Sequence, residues 1–320
     1  MTVPVVHDLA TQYPDLNITM LSRETARPLF ERLPRNVHFA AADLTGRHQG
    51  LLGLNRLLRD LHFREFDAIG DFHDVLRTQW LRFICRLFGK RVAHIDKGRR
   101  GKRALTRRRN KVLTQQATTF ERYARVLESL GFPVRPRFTR LDYSDAIGQA
   151  KPEGWTWVGV APFAKHPAKT LPLAQLENVI QTLSERPDTQ VFLFGGGQAE
   201  KEQIATLCAR HPAVRAGQSS QGLRGELALM GQLDVLVSMD SANMHLASLT
   251  GTPVVSVWGG THPFAGFLGW GQRLSDCVQR DLPCRPCSVY GNKPCHRGDY
   301  ACLNGLAPEA VLEKLSPYLP

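Results

Sequence analysis

Short apolar runs separated by turn residues and by stretches with helical spacing dominate the second half of the chain. The densest such unit is Leu233–Thr261. Leu233 to Val237 is a continuous apolar run, the pattern of a strand buried on both faces. Asp240 and Ser241 are helix-start residues, either of which can cap a helix beginning there. Met244, Leu246, Ala247 and Leu249 give that helix its apolar content, Gly251 falls at the position after its end, and Pro253 forbids continuation. Val254 to Trp258 is the next buried strand, and Gly259-Gly260-Thr261 turns after it.

The same reading extends along the chain. Residues 1–15 read as a helix ending near Tyr13, and Asn17–Ser22 as a strand. Leu54, Leu57, Leu58 and Leu61 fall on one side of a helix over 51–61. Phe120–Leu130 is an amphipathic helix stopped by Gly131 and Pro133. Residues 134–154 are rich in charge, proline and turn formers, which places an interdomain linker there. Then come a strand at Trp155–Pro162, a loop through Lys165, His166 and Lys169, and a helix over Leu173–Glu185. A strand into Gly195-Gly196-Gly197 is next, with helices over Ala199–Arg210 and Arg224–Gln232 and a closing helix over Pro308–Leu315. The glycine turn lacks the dinucleotide spacing; it allows close approach of a nucleotide, and packing explains it equally well. Strands alternating with helices predict an α/β class with parallel sheets. The expected domains are 1–145 and 146–320.

In such a sheet ligands bind beyond the carboxyl ends of the strands. A helix head at Asp240–Ala242 offers N–H groups and a positive dipole end, suited to a phosphate or diphosphate. Asp240 suits sugar hydroxyls, and His245, one turn in, can donate to a phosphate oxygen. Taken singly, the favoured reading is that Asp240 is only an N-cap and His245 only a satisfied helix histidine, because capping aspartates are common.

Composition changes the picture in two places. With 41 Lys and Arg against 29 Asp and Glu, the formal charge is +12. That favours an acidic partner: nucleic acid, an anionic membrane face or a phosphorylated substrate. The positive charge is densest over Lys97–Lys111, read as a surface loop running into a helix. Such a run is either solvated or a clamp for an anionic acceptor or lipid; without interleaved aromatics or a recognisable nucleic-acid motif, nucleic acid ranks last. Five of the seven cysteines lie in the tail, at 277, 284, 287, 295 and 302. Cys284, Cys287, Cys295 and Cys302 allow a structural zinc site or a disulfide-prone loop. No stretch of about eighteen apolar residues and no signal-peptide pattern is visible, so a cytoplasmic location is expected.

Asp-Ser-Ala-x-x-His-Leu-Ala, followed by Gly-Thr-Pro-Val-Val and Gly-x-Thr-x-Pro, resembles the donor-site signature of glycosyltransferase family 9. That family includes the heptosyltransferases of lipopolysaccharide-core synthesis. Ala242 stands where the family pattern has glycine, and its β-carbon is expected to crowd a phosphate. The resemblance implies a GT-B fold, two Rossmann-like domains facing a cleft, with the nucleotide sugar held mainly by the second. It implies transfer of a heptose or related sugar from a nucleotide diphosphate sugar to a lipopolysaccharide-core or other glycan acceptor, with no metal and no cofactor. The donor site then comprises Lys169, Asp240, Ser241, Ala242, His245 and Thr261. As a lone loop lysine, Lys169 would mean little. The segment from Phe66 resembles a later strand and helix of the family, which puts Asp71, His73 and Asp74 at a strand's carboxyl end as acceptor-side candidates, or simply as a cap and polar loop residues. The family opens on a strand and a Gly-Asp loop whose aspartate is the proposed base. This sequence opens on the helix after it, so the first domain is expected to be incomplete and the base is unassigned: the start is truncated or mis-set, or this member works differently. Similar cysteine-bearing tails among family relatives suggest a lineage feature. The implied partners are the donor and an anionic lipid-linked or oligosaccharide acceptor, with peripheral contact at the inner membrane face. A non-catalytic relative that binds donor or glycan, and a nucleotide-sugar epimerase, are the alternatives.

Overall fold

The computed structural model describes residues 1–319. They form two compact units, one of residues 1–97 with 117–139, the other of 98–116 with 140–319. The chain passes between them three times, after residues 97, 116 and 139.

In order, the first part of the chain forms α1 (Val3–Gln12), β1 (Ile18–Ser22), β2 (Val37–Ala41), α2 (Gly50–Asp60), β3 (Ala68–Asp71), α3 (Leu76–Leu87), β4 (Arg91–His94), α4 (Arg99–Thr106) and α5 (Thr119–Ser129). The α5 start is fixed by a reciprocal cap, Thr118 Oγ1 accepting from Glu121 N while Glu121 accepts from Thr118 N. In the first unit β1 pairs with β2 and β3 with β4, both parallel, as two separate two-stranded sheets. A doubly wound order puts its opening strand in the middle, paired on both sides; no strand among the described residues joins the two pairs. Buried apolar residues of this unit accordingly include several small clusters, such as Ala42 with Leu54 and Leu57, and Leu58 with Phe63 and Cys85.

The basic segment differs from its expected form. Rather than a loop running into a helix, it is helical from Arg99, and it belongs to the second unit. Leu105 is fully buried, and the buried Lys102 ammonium lies 4.1 Å from the centroid of the Phe267 ring. Packing of Leu105 and the cation–π contact of Lys102 help hold this helix in place.

The second unit continues with β5 (Thr156–Ala161), α6 (Leu173–Ser184), β6 (Thr189–Leu193), α7 (Gln198–Arg210), β7 (Val214–Ala216), α8 (Leu223–Met230), β8 (Val235–Met239), α9 (Ala242–Leu249), β9 (Val254–Trp258), β10 (Cys277–Gln279), α10 (Ala301–Asn304) and α11 (Pro308–Leu315). Its six strands run parallel in the order β10-β9-β8-β5-β6-β7. Side chains alternate between faces. Val158, Val160, Val235, Val237, Val255 and Val257 pack with Leu176, Ile180 and Val311 on one side. Trp157, Leu236, Val254 and Trp258 pack with Met244 and Ala247 on the other. From β5 the chain builds outward to β6 and β7, then crosses back to β8. The β5–β8 boundary is therefore the switch point at which such sheets open a ligand crevice. No helix among the described residues is long and apolar enough to cross a membrane.

Candidate donor site

Three adjacent strands, β9, β8 and β5, deliver their carboxyl-end loops to one place. The loop after β5 closes with the single turn Pro167–Lys169, in which Lys169 N donates to His166 O. The loop after β8 is Asp240–Ser241, and the loop after β9 is Gly259–Thr261. Lys169 Nζ lies 3.1 Å from Asp240 Oδ2, and Thr261 Oγ1 donates to the same oxygen at 2.9 Å. Asp240 and Thr261 are buried, and only 15 % of the Lys169 side chain is exposed. The ammonium has three donors and Asp240 takes one, so it can also serve an anion. Sequence reasoning placed these three residues in one site, and their side chains meet there.

The expected cap is not made. Ser241 occupies the N-cap position of α9, yet its hydroxyl faces Ser238 Oγ at 3.3 Å and accepts nothing from the helix head. The Asp240 carboxylate is drawn instead to Lys169 and Thr261. Ala242, first residue of the helix, is exposed. The head of α9 thus keeps N–H groups for a guest. One turn in, His245 Nδ1 is buried without a hydrogen-bond partner, and burial pushes the imidazole pKa down to about 3. It is neutral at physiological pH, a hydrogen-bonding group rather than a cation.

The glycines of the third loop are there for close approach. A β-carbon on Gly259 would fall 2.5 Å from Ala168 O, and Gly260 N donates to that same oxygen at 2.7 Å. The Lys169 turn and the Thr261 loop are therefore locked to each other by backbone. Arg285, buried, completes the lock: its guanidinium donates to Gly259 O and, at 3.0 Å, to Thr261 O. Sequence reasoning missed Arg285, which stands between two cysteines with no motif of its own.

Of the acceptor-side candidates, Asp71 and Asp74 share a structural hydrogen-bond and ion-pair cluster. At the end of β3, Asp71 Oδ1 accepts from His73 N at 2.8 Å and Asp74 N at 3.0 Å. Buried Arg82 lies 3.4 Å from Asp71 Oδ2 and donates to Asp74 Oδ1 at 3.0 Å. Asp74 adopts a left-handed conformation, φ 44°, which aspartate tolerates better than most residues. His73 is exposed, and its pKa is lowered by partial burial and the Lys97 ammonium. Replacing Arg82 with Ala removes the guanidinium shared by the buried Asp71 and the half-buried Asp74 and should cost about 3 kcal/mol. Urea denaturation measures this, and a loss below about 1 kcal/mol would show the cluster to be loosely held.

Comparison with known proteins places the chain in a family. A family profile, glycosyltransferase family 9 (heptosyltransferase), matches residues 54–296. The chain belongs to glycosyltransferase family 9. It is 24 % identical over 277 residues to lipopolysaccharide heptosyltransferase 3 of Escherichia coli, covering 82 % of this chain and 80 % of that one. Among solved structures, E. coli ADP-heptose lipopolysaccharide heptosyltransferase II superposes with a TM-score of 0.68 at 19 % identity, over 99 % of this chain and 94 % of the other. The family 9 glycosyltransferase of Veillonella parvula gives 0.71 at 19 % identity, over 99 % and 92 %. These likenesses establish the GT-B fold.

Proposed function

We propose that this glycosyltransferase moves a heptose or closely related sugar from a nucleotide diphosphate sugar to a hydroxyl of an anionic lipopolysaccharide-core or related glycan acceptor. The observation that carries the reading is the Lys169 ammonium, held 3.1 Å from Asp240 at a helix head its own N-cap leaves open. A diphosphate seated there receives the helix-head N–H groups, the remaining Lys169 donors and a neutral His245. As the glycosidic bond breaks, negative charge grows on the departing diphosphate, and these groups stabilise it without reorganising. Asp240 is already oriented by Lys169 and Thr261 through Oδ2, and accepts a sugar hydroxyl through Oδ1. Related solved structures include the E. coli heptosyltransferase WaaC with ADP and with an ADP-heptose analogue. That makes an ADP sugar the first donor to test. Nucleotide release from ADP-heptose that requires a core oligosaccharide is the expected result. Donor consumed equally without acceptor would mark an epimerase, and donor bound without turnover a non-catalytic relative.

The acceptor's negative charge has a place to go within the second unit. A cavity of about 420 Å³ is lined by Arg107, Arg108, Lys111, Lys293 and His296, together with Cys284 and Cys287. No carboxylate lines it. Lys111 is anchored to the carbonyls of Cys284 and Pro286, tying the basic segment to the tail. We assign this cavity to the phosphate or carboxylate groups of the acceptor. Such an acceptor puts the work at the cytoplasmic side, with peripheral contact at the inner membrane face. Combining Arg108→Glu with Lys293→Glu should raise the KM for a phosphorylated core oligosaccharide at least about tenfold and flatten its salt dependence. ADP affinity should stay within about twofold. An unchanged acceptor KM would remove the cavity from the acceptor path.

A further inference from the structure

The cysteine-bearing tail reaches the donor site through one glycine. Gly291 is buried, with φ 76°, in the left-handed region that favours glycine. A β-carbon built on it would lie 2.5 Å from both Cγ and Cδ of Lys169. The aliphatic stem of Lys169 therefore fills the space that the missing side chain leaves. The backbone around Gly291 is fixed in turn. Gly291 N donates to Ser288 Oγ at 2.9 Å, and Ser288 Oγ donates to Asn292 Oδ1 at 3.2 Å. Cys287 N and Ser288 N both donate to Gly260 O, at 3.0 and 3.2 Å. Gly260 N donates to the carbonyl of Ala168, the residue before Lys169. Arg285 holds the carbonyls on either side of Gly260.

We propose that the tail loop 285–291 is part of the donor site, and that Gly291 is a positioning residue for Lys169. A free lysine side chain samples many rotamers, and aiming its ammonium at one point costs entropy. The slot over Gly291 removes that freedom before the donor arrives, directing Nζ to the meeting point of Asp240 and the head of α9. Preorganisation of this kind strengthens binding of the departing diphosphate without adding a contact to it. The tail thus serves donor recognition through its backbone and glycine, whatever its cysteines do. The proposal rests on Lys169 being a donor ligand, and its test separates the two ideas.

The experiment is calorimetric titration with ADP. Gly291→Ala should weaken ADP binding about tenfold or more. Gly298→Ala is the control: it lies in the same tail at φ 80°, carries the same backbone strain, and has open space around the added carbon. It should bind ADP within about twofold of the wild type. In a Lys169→Ala background, Gly291→Ala should cost nothing further, because the side chain it displaces is gone. Ser288→Ala, which removes the hydroxyl that anchors Gly291 N and donates to Asn292, should weaken ADP about threefold and likewise lose its effect without Lys169. It carries the test if Gly291→Ala does not fold. Wild-type ADP affinity in Gly291→Ala, or in a Ser288→Ala protein standing in for it, would overturn the proposal. So would an equal loss with and without Lys169. Should Lys169→Ala itself bind ADP normally, the donor reading falls and this one falls with it.

Discussion

Lys169→Ala should lower kcat/KM for the sugar-nucleotide donor about 100- to 1000-fold, or about 3–4 kcal/mol, the range seen when one preorganised charge-stabilising donor is deleted. Two effects add. The growing charge on the diphosphate loses an ammonium. In addition Asp240, buried and 3.1 Å from that ammonium, is left as an uncompensated carboxylate beside the phosphates. The second effect gives the prediction its signature. Lys169→Ala with Asp240→Ala should bind ADP more tightly than Lys169→Ala alone, since the repulsive carboxylate is gone. Steady-state kinetics and ADP titration on the variants check both parts. An ADP affinity within twofold of wild type in Lys169→Ala would remove this lysine from the donor site.

Acid should destabilise the second unit steeply below neutrality. Burial holds His245 at a pKa of about 3, and burial with the nearby Arg285 guanidinium holds His262 at about 4. His262 Nδ1 accepts from Phe264 N at 3.1 Å, a bond that needs the unprotonated nitrogen. Both folded values lie below the unfolded histidine value near 6.5. Between those limits the unfolded chain binds more protons than the folded one, so stability falls as pH falls. The stability is fully present above about pH 6.5 and is lost progressively towards the folded pKa values. At pH 5 each histidine costs about 2 kcal/mol relative to pH 7.5. Together that lowers Tm by on the order of 10 °C in a chain of this size. His262→Asn, which keeps an acceptor for Phe264 N, should show about half the drop. Differential scanning calorimetry at the two pH values decides it; an imidazole titrating near 6.5 by NMR in either position would contradict the assignment.

The elements of the second half were legible because each is a local pattern. Apolar runs bounded by turn residues gave β5, β6, β8 and β9, and Gly251 with Pro253 gave the end of α9. What escaped were the short edge strands β7 and β10, where few residues pair on one side only. The basic segment escaped too. Its charges suggest a solvated loop, while Lys102 and Leu105 are buried inside its helix. A cation over an aromatic ring more than a hundred residues away leaves no periodicity to read.

For the site, the sequence by itself determined which residue types stand at the strand ends: an acid, a hydroxyl, a lysine and close-approach glycines. Local spacing and family resemblance suffice for that. Only the tertiary structure decided that Asp240 abandons its helix to pair with Lys169, because β5 and β8 are neighbours solely through the crossover of the parallel sheet. It alone revealed that the tail returns to grip the loop after β9 through Arg285 and to cradle Lys169 on Gly291. Contacts between distant segments depend on strand order and backbone approach, and neither is written in any local run of residues.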